Sequence, residues 1–320
     1  MRRVVVAGRW DGARPLLPTG VALEQIGRGL RAGGDGLDVV LLPFGSGPTF
    51  DEAVAACRSQ ASFVRVPTEA SSTREAGECV AAALGEPRVV VEGGHVVSPD
   101  CGIGFLAGLL GVAESDVSGE GLGPALTRAE DVLAASGTDL VCAASTPRPL
   151  LGLDSVLAVR PDLDPIEEQD TELTAALTQA FAHRPLRRRQ LLGDQAVHPA
   201  RAFGSGAGGG VGAVIAAIGG RIAPTADFLA DLLDVDGALT DADLLVVVEP
   251  ELASPLLATS TLDALTRAAG ELALPVVAVT VRSSLSHYER AQWGLHGVFE
   301  TEACVTLDDA GRRIARTWLR

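Results

Sequence analysis

Residues 89–111 read VVVEGGHVVSPDCGIGFLAGLLG. An uninterrupted β-branched run, a glycine-rich turn and then an apolar segment at helical spacing describe a buried parallel strand that feeds a crossover helix. Glycines at 93, 94, 102 and 104 let backbone amides approach an anion, and the helix N-terminus that follows favours negative charge. Asp100 opens that helix, placed either to hold a divalent cation, to act as a base, or to cap the helix.

The same alternation runs outward from this stretch. Apolar runs predict strands over 4–7, 39–42, 63–66, 89–91, 140–142, 244–248 and 276–281. Helical spacing predicts helices over 21–30, 50–58, 74–84, 103–110, 167–181, 211–218, 226–233 and 261–272. Thr49 and Ser72 are expected as N-caps of two of these. The fold class is α/β, with parallel strands buried on both faces. Ligands of such sheets bind beyond the carboxyl ends of the strands, so the tips carry the interest: Gly8 to Asp11, with Arg9 and Trp10 between; Pro43 to Gly47; Glu92 to His95; Ala143 to Ser145; and Glu249 to Glu251. A second glycine segment, FGSGAGGGVGAVIAAIGG at 203–220, is either a phosphate cradle or a site of close helix packing.

Composition narrows the function. The chain has 320 residues and a net charge of −15, and every one of its 26 basic side chains is arginine. With no lysine, it lacks the residue needed for a Walker-A loop, a protein-kinase core or a pyridoxal Schiff base. The acidic balance argues against nucleic-acid and membrane partners. Aromatic residues make up only 4%, so the core must be aliphatic. Cysteines 57, 79, 101, 142 and 304 are scattered and fit reduced thiols in a cytoplasm. The apolar run near the N-terminus is too short for a signal peptide. The 160–202 region reads as an exposed acidic-to-basic helix and its exit, where arginines 184, 187, 188 and 189 either grip an anion or complement a helix C-terminus.

Other side chains offer less. His95 is either an anion contact or base, or a satisfied loop histidine. His287 and Tyr288 fit a surface turn and helix start, and His183, His198 and His296 lack ligand spacing. Cys101, beside a helix N-terminus, is expected to have a lowered pKa and has no sequence partner for nucleophilic chemistry. Only Gly8 and Gly12 follow the first strand, short of a nicotinamide-binding fingerprint.

Taken in order, these segments resemble the glycerate kinase family, the bacterial two-domain α/β type. Gly93-Gly94 through Asp100, Gly102 and Gly104 resemble that family's Gly-Gly-Ser-Ala-Thr-Asn-Asp-Gly-Gly-Ala-Gly loop with one residue inserted. Residues 203–212 are similar to its Gly-Ala-Gly-Ala-Ala-Gly-Gly-Leu-Gly segment. Cys142, Pro149, Leu150, Leu151 and Gly152 resemble its Cys-Asp-Val-Asp-Asn-Pro-Leu-Leu-Gly, and residues 239–248, 274–280 and 294–299 resemble its C-terminal strands. The resemblance implies a parallel doubly wound sheet domain over 1–60 and 240–320, and a second α/β domain over 61–239 that carries the glycine segments. It also implies ATP and Mg²⁺ used on a small hydroxy acid, in a cytoplasmic protein for which self-association is open. Asp100 and Glu249 are then the implied catalytic and metal residues. Gly93, Gly94, His95, Ser98, Gly102, Gly206, Gly208, Gly209, Arg9 and Arg282 are the implied substrate or nucleotide contacts.

The departures fall at the tips. Asp11 stands where the family has a lysine, and Ser260, in Ala258-Thr259-Ser260, replaces another in His-Gly-Lys. Pro43 to Thr49 lacks two carboxylates of the second tip, and Cys142 to Ser145 lacks both aspartates of Cys-Asp-Val-Asp-Asn. At Glu249 to Ala253 the family's glutamate and leucine remain. Arg9, Arg148 and Arg282 are the cations available in place of lysine. Phosphoryl transfer depends on positioning and charge neutralisation, so these changes point to altered or impaired catalysis, or to a regulatory protein that binds a metabolite or nucleotide without turnover.

Overall fold

The computed structural model of the chain describes residues 2–57, 61–160, 164–166, 170–184, 186–190, 193–254, 261–301 and 306–319. Two compact units divide it: Met1–Ser59 with Ala226–Arg320, and Gln60–Thr225.

The chain enters the first unit through β1 (Arg2–Gly8), α1 (Thr19–Gly33), β2 (Leu37–Pro43) and α2 (Pro48–Ala56). The second unit follows as β3 (Ser62–Val66), α3 (Arg74–Ala83), β4 (Arg88–Gly93), α4 (Ile103–Leu110), α5 (Leu122–Ser136) and β5 (Asp139–Ala144). It is completed by α6 (Thr171–Ala182), β6 (Leu186–Gln190), β7 (Gly193–Val197), α7 (Val211–Ala217) and β8 (Arg221–Pro224). From α8 (Thr225–Leu232) and α9 (Val235–Thr240) the chain returns to the first unit through β9 (Leu244–Val248), β10 (Glu251–Leu252) and α10 (Leu262–Glu271). The last elements are β11 (Val276–Thr280), β12 (Arg282–Ser283), α11 (His287–Gln292), β13 (Gly297–Glu300) and α12 (Leu307–Trp318).

In the first unit five parallel strands lie in the order β13-β11-β9-β1-β2. Numbered within the unit this is 2-1-3-4-5, a doubly wound order whose winding reverses between β1 and β9, the place where sheets of this order bind their ligands. Val4, Val5 and Val6 of β1 and Leu245, Val246 and Val247 of β9 are wholly buried, as strands covered on both faces require. Helices α1 and α12 meet at backbone distance: a Cβ on Gly29 would lie 2.1 Å from the Asp308 carbonyl oxygen, and one on Gly311 2.2 Å from that of Ile26.

The second unit's sheet runs β3-β4-β5-β8, all parallel, with no reversal. Its core gathers Val89, Val91, Phe105, Leu106, Leu126, Leu140, Val214 and Ile215.

Several expectations change. The 160–202 region is a shorter helix, α6, whose Asp170 side chain caps it through the Leu173 amide, followed by the antiparallel pair β6–β7. Helices α5 and α12 and strand β8 were not read from the periodicity. Gly47, not Thr49, holds the N-cap position of α2; at α3 that position is Thr73, with no side-chain capping bond, while Ser72 Oγ accepts the Arg74 amide at 3.2 Å. The expected Arg58, Ser260 and Cys304 features lie outside the described residues. Among those described, no helix is long and apolar enough to cross a membrane.

Candidate functional site

The carboxyl edge of the first unit holds the charged tips. Gly8 ends β1 at φ 143°, where a Cβ would lie 2.0 Å from the Val248 carbonyl oxygen, so β1 and β9 approach too closely for a side chain at the switch point. The next residue on each strand is charged. Arg9 donates through Nε and Nη2 to Glu249 Oε1, at 2.8 and 2.5 Å. Glu249 is 3% exposed. Burial pushes its carboxyl above the ordinary glutamate range, the Arg9 guanidinium pulls it back, and Asp11 adds to the upward push. Burial opposes charge on Arg9, but Glu249 more than offsets this and raises its pKa.

Beside the pair lies a second network. Asp11 accepts from the Thr49 amide at 3.2 Å and from its hydroxyl at 2.5 Å. Thr49 Oγ1 lies 2.6 Å from Thr19 Oγ1, which also accepts from the Trp10 amide. Glu52 accepts from the amides of Thr19 and Gly20, satisfying the N-terminus of α1. Arg282, on the β10–β12 ribbon, pairs with Glu251 at 2.6 Å on an exposed surface.

The second unit decides the alternatives at Asp100. Its Oδ2 accepts from the Thr73 amide at 2.7 Å, the Thr73 hydroxyl at 2.8 Å and the Gly104 amide at 3.2 Å. Its Oδ1 accepts from the Gly102 amide at 2.9 Å, and the Phe105 amide donates to Thr73 Oγ1. Asp100 thus ties the start of α3 to the start of α4. A Cβ on Gly104 would lie 2.5 Å from Asp100 Oδ2, which accounts for that glycine. Asp100→Ala strands three amides and is expected to cost about 2 to 4 kcal/mol by urea denaturation, with Asp100→Asn costing less. A metal-ligand role instead predicts near-parental stability for both variants.

The donor set does not fit a Mg²⁺ centre. Asp100's oxygens serve helix amides, Glu249 is spent on Arg9, and no group of three or more His, Cys, Asp or Glu among the described residues is arranged to hold a metal.

The two glycine segments meet, but as packing. Gly208 donates its amide to the Gly94 carbonyl at 2.9 Å. A Cβ on Gly93 would lie 2.7 Å from Gly208 Cα, one on Gly102 2.8 Å from the Gly210 carbonyl oxygen, and one on Gly210 2.5 Å from Cys101 C. Gly206 presses on Val156 and Pro149, and Gly209 faces Pro99 and Val96. Residues 206–210 are buried, and the Gly206, Ala207, Gly208 and Gly210 amides are used on internal carbonyls. Of the two open readings, close packing accounts for Gly206, Gly208 and Gly209.

Gly94 and His95 are half-buried, and Ser98 is exposed. Cys101 takes a left-handed φ of 60° and is 3% exposed. Burial, with Asp100 and Asp170 adding to it, pushes its thiol up to about 12, against the expected lowering. Arg184 is held by Glu130, Thr127 and the Ala217 carbonyl. His287 opens α11 as expected, and Tyr288 is exposed. His296 Nδ1 accepts from the Val276 amide.

Glu92, placed at a strand tip in the sequence, is given no role there. It ends β4 at 2% exposure and accepts the Ser145 hydroxyl at 2.5 Å, and Ser145 Oγ lies 2.7 Å from Thr225 Oγ1. The signal was a carboxylate closing the otherwise apolar run VVVEGG at the ligand-facing edge of a parallel sheet.

No curated protein sequence matches the chain. Among solved structures, the crystal structure of a protein from Salmonella typhimurium LT2 provisionally described as glycerate kinase 2 aligns with a TM-score of 0.64. It is 19% identical, over 99% of this chain and 96% of the other, a likeness that speaks to fold. The sequence itself matches the glycerate kinase family over residues 54–319, most of its length. The chain belongs to the glycerate kinase family.

Proposed function

We propose that this protein transfers the terminal phosphoryl group of ATP to the hydroxyl of a small hydroxy acid such as glycerate, at a site rebuilt relative to the family's pattern. The carrying observation is that polar groups persist as bonded networks where a parallel sheet presents ligands. Arg9 and Glu249 pair at the switch point, and Glu92, Ser145 and Thr225 are linked at the second sheet's edge. Decay of an unused site would leave such carboxylates buried without partners, a costly state. Arg9 supplies a permanent cation at a strand tip, suited to phosphate.

A second reading, binding without turnover, is favoured by the commitment of Asp100 and Glu249 to internal partners. One experiment separates the two. Purified protein is incubated with Mg-ATP and glycerate while ADP release is followed, and each ligand is also tested by thermal shift. Turnover well above background supports transfer. A thermal shift without ADP release supports the binder, and no response to either ligand overturns both.

A further inference from the structure

We infer that Ser145 accepts the proton of the acceptor hydroxyl and passes its own to Glu92, which makes Glu92 the buried base of the transfer. This rests on the proposed transferase reading and names the groups that activate its acceptor.

The direction of the hydrogen bonds carries the inference. A serine hydroxyl has one proton and two lone pairs. Ser145 gives that proton to Glu92 Oε1, so the 2.7 Å contact with Thr225 must be donated by Thr225. The chain therefore runs Thr225 to Ser145 to Glu92 and leaves one Ser145 lone pair open to a donor. Ser145 is half-buried, whereas Glu92 and Thr225 are each 2% exposed, so Ser145 is the member a ligand reaches. A Cβ at Gly94 would lie 3.9 Å from Ser145 Cβ, in ordinary contact with it.

A hydroxyl bound to Ser145 faces a relay polarised away from it. As its oxygen attacks the terminal phosphorus of the nucleoside triphosphate, the new O–P bond forms and the bridging P–O bond breaks. The nucleoside diphosphate leaves with that electron pair. The acceptor's proton passes to Ser145 and the Ser145 proton to Glu92. Asp100, the carboxylate suggested by sequence, is tied to Thr73 and free for no such role. Arg65 lies opposite Glu92 in register on β3, and Cys142 lies within reach of its charge. Burial, with the Glu92 charge adding to it, pushes the Cys142 thiol up to about 12.

The test is steady-state kinetics with ATP and glycerate on the full chain and on Glu92→Gln, Ser145→Ala and Ser145→Thr, each with its melting temperature. The expected result is a kcat lowered about 10²- to 10⁴-fold in Glu92→Gln, with both KM values within about threefold of the parent. Ser145→Ala is expected to fall in the same direction with KM preserved, and Ser145→Thr, which keeps a hydroxyl, to recover most of kcat. Should Glu92→Gln melt far below the parent, the Ser145 pair carries the same comparison. A folded Glu92→Gln or Ser145→Ala with parental kcat overturns the relay and leaves the transferase reading standing. A parent that releases no ADP overturns both.

Discussion

Arg9→Ala is expected to lose about 3 to 5 kcal/mol of stability at neutral pH, because it strands the Glu249 carboxylate at 3% exposure without its partner. The loss should depend on pH in a definite direction. Burial already raises the folded-state pKa of Glu249, and removing Arg9 takes away the two contributions that lower it. An acid whose folded pKa lies above its unfolded value binds more protons in the folded state. Its contribution is fully present below the unfolded value and lost as pH rises through the folded one. The deficit of Arg9→Ala against the parent should therefore be smallest near pH 4 and grow toward neutrality, the unfolded carboxyl titrating at about 4.3. Urea denaturation across that range measures it. Replacing both residues, Arg9→Met with Glu249→Leu, should recover most of the loss, since a buried pair exchanged for apolar side chains is often neutral. A deficit that does not vary with pH would mean that Arg9 acts by packing its aliphatic stem and not by neutralising Glu249.

The same pair shows what the sequence could and could not reveal. Leu244–Val248 and the β1 tip were legible because strands buried on both faces must be continuously apolar, which makes the first charged residue after them conspicuous. That Arg9 and Glu249 are partners was not legible. It depends on β1 and β9 lying side by side although 240 residues separate the two. Helix α12 escaped for another reason. Its amphipathic pattern is strong, with Leu307, Ala310, Ile314 and Ala315 on the buried face, but Gly311 in its middle is a poor helix former, kept because α1 passes at backbone distance. The arginine-rich run is itself strand β6, and it reads as a helix exit because a polar two-stranded ribbon shows no alternation of apolar and polar residues in sequence.

At the second sheet the sequence drew attention to Asp100, whereas the structure shows two buried or half-buried carboxylates there with different partners, Asp100 and Glu92. Asp100 drew attention because a glycine-rich turn before a helix suits anions and cations alike. Its side chain is taken up by the Gly102 and Gly104 amides in the next turn and by Thr73, so it builds the loop. Glu92 precedes that loop, where the sheet itself fixes its position. A group on a strand end is held more rigidly than one on a loop, which suits a proton acceptor. At this edge Asp100 shapes the turn, while Glu92 is fixed by the strand and held by Ser145.

Gly210→Ala tests the other half of that division and should cost about 2 to 5 kcal/mol with no ligand present. Gly210 has φ 111°, and a Cβ there would lie 2.5 Å from Cys101 C and 2.8 Å from its Cα. Those are backbone atoms that no rotamer change can move aside. Cys101 is itself in a left-handed conformation, and Gly102 next to it presses on the Gly210 carbonyl oxygen. A shift at either segment is therefore transmitted to the other. Gly111→Ala is the matched control: it also has a positive φ, 65°, but nothing lies within 4 Å of its Cβ position, so it carries backbone strain alone, about 1 kcal/mol. The difference between the two variants in urea denaturation isolates the clash. If the glycines served as a phosphate cradle, Gly210→Ala would keep near-control stability and lose the thermal shift with ATP. If they interlock the two segments, stability falls first, and any loss of ATP binding follows from it.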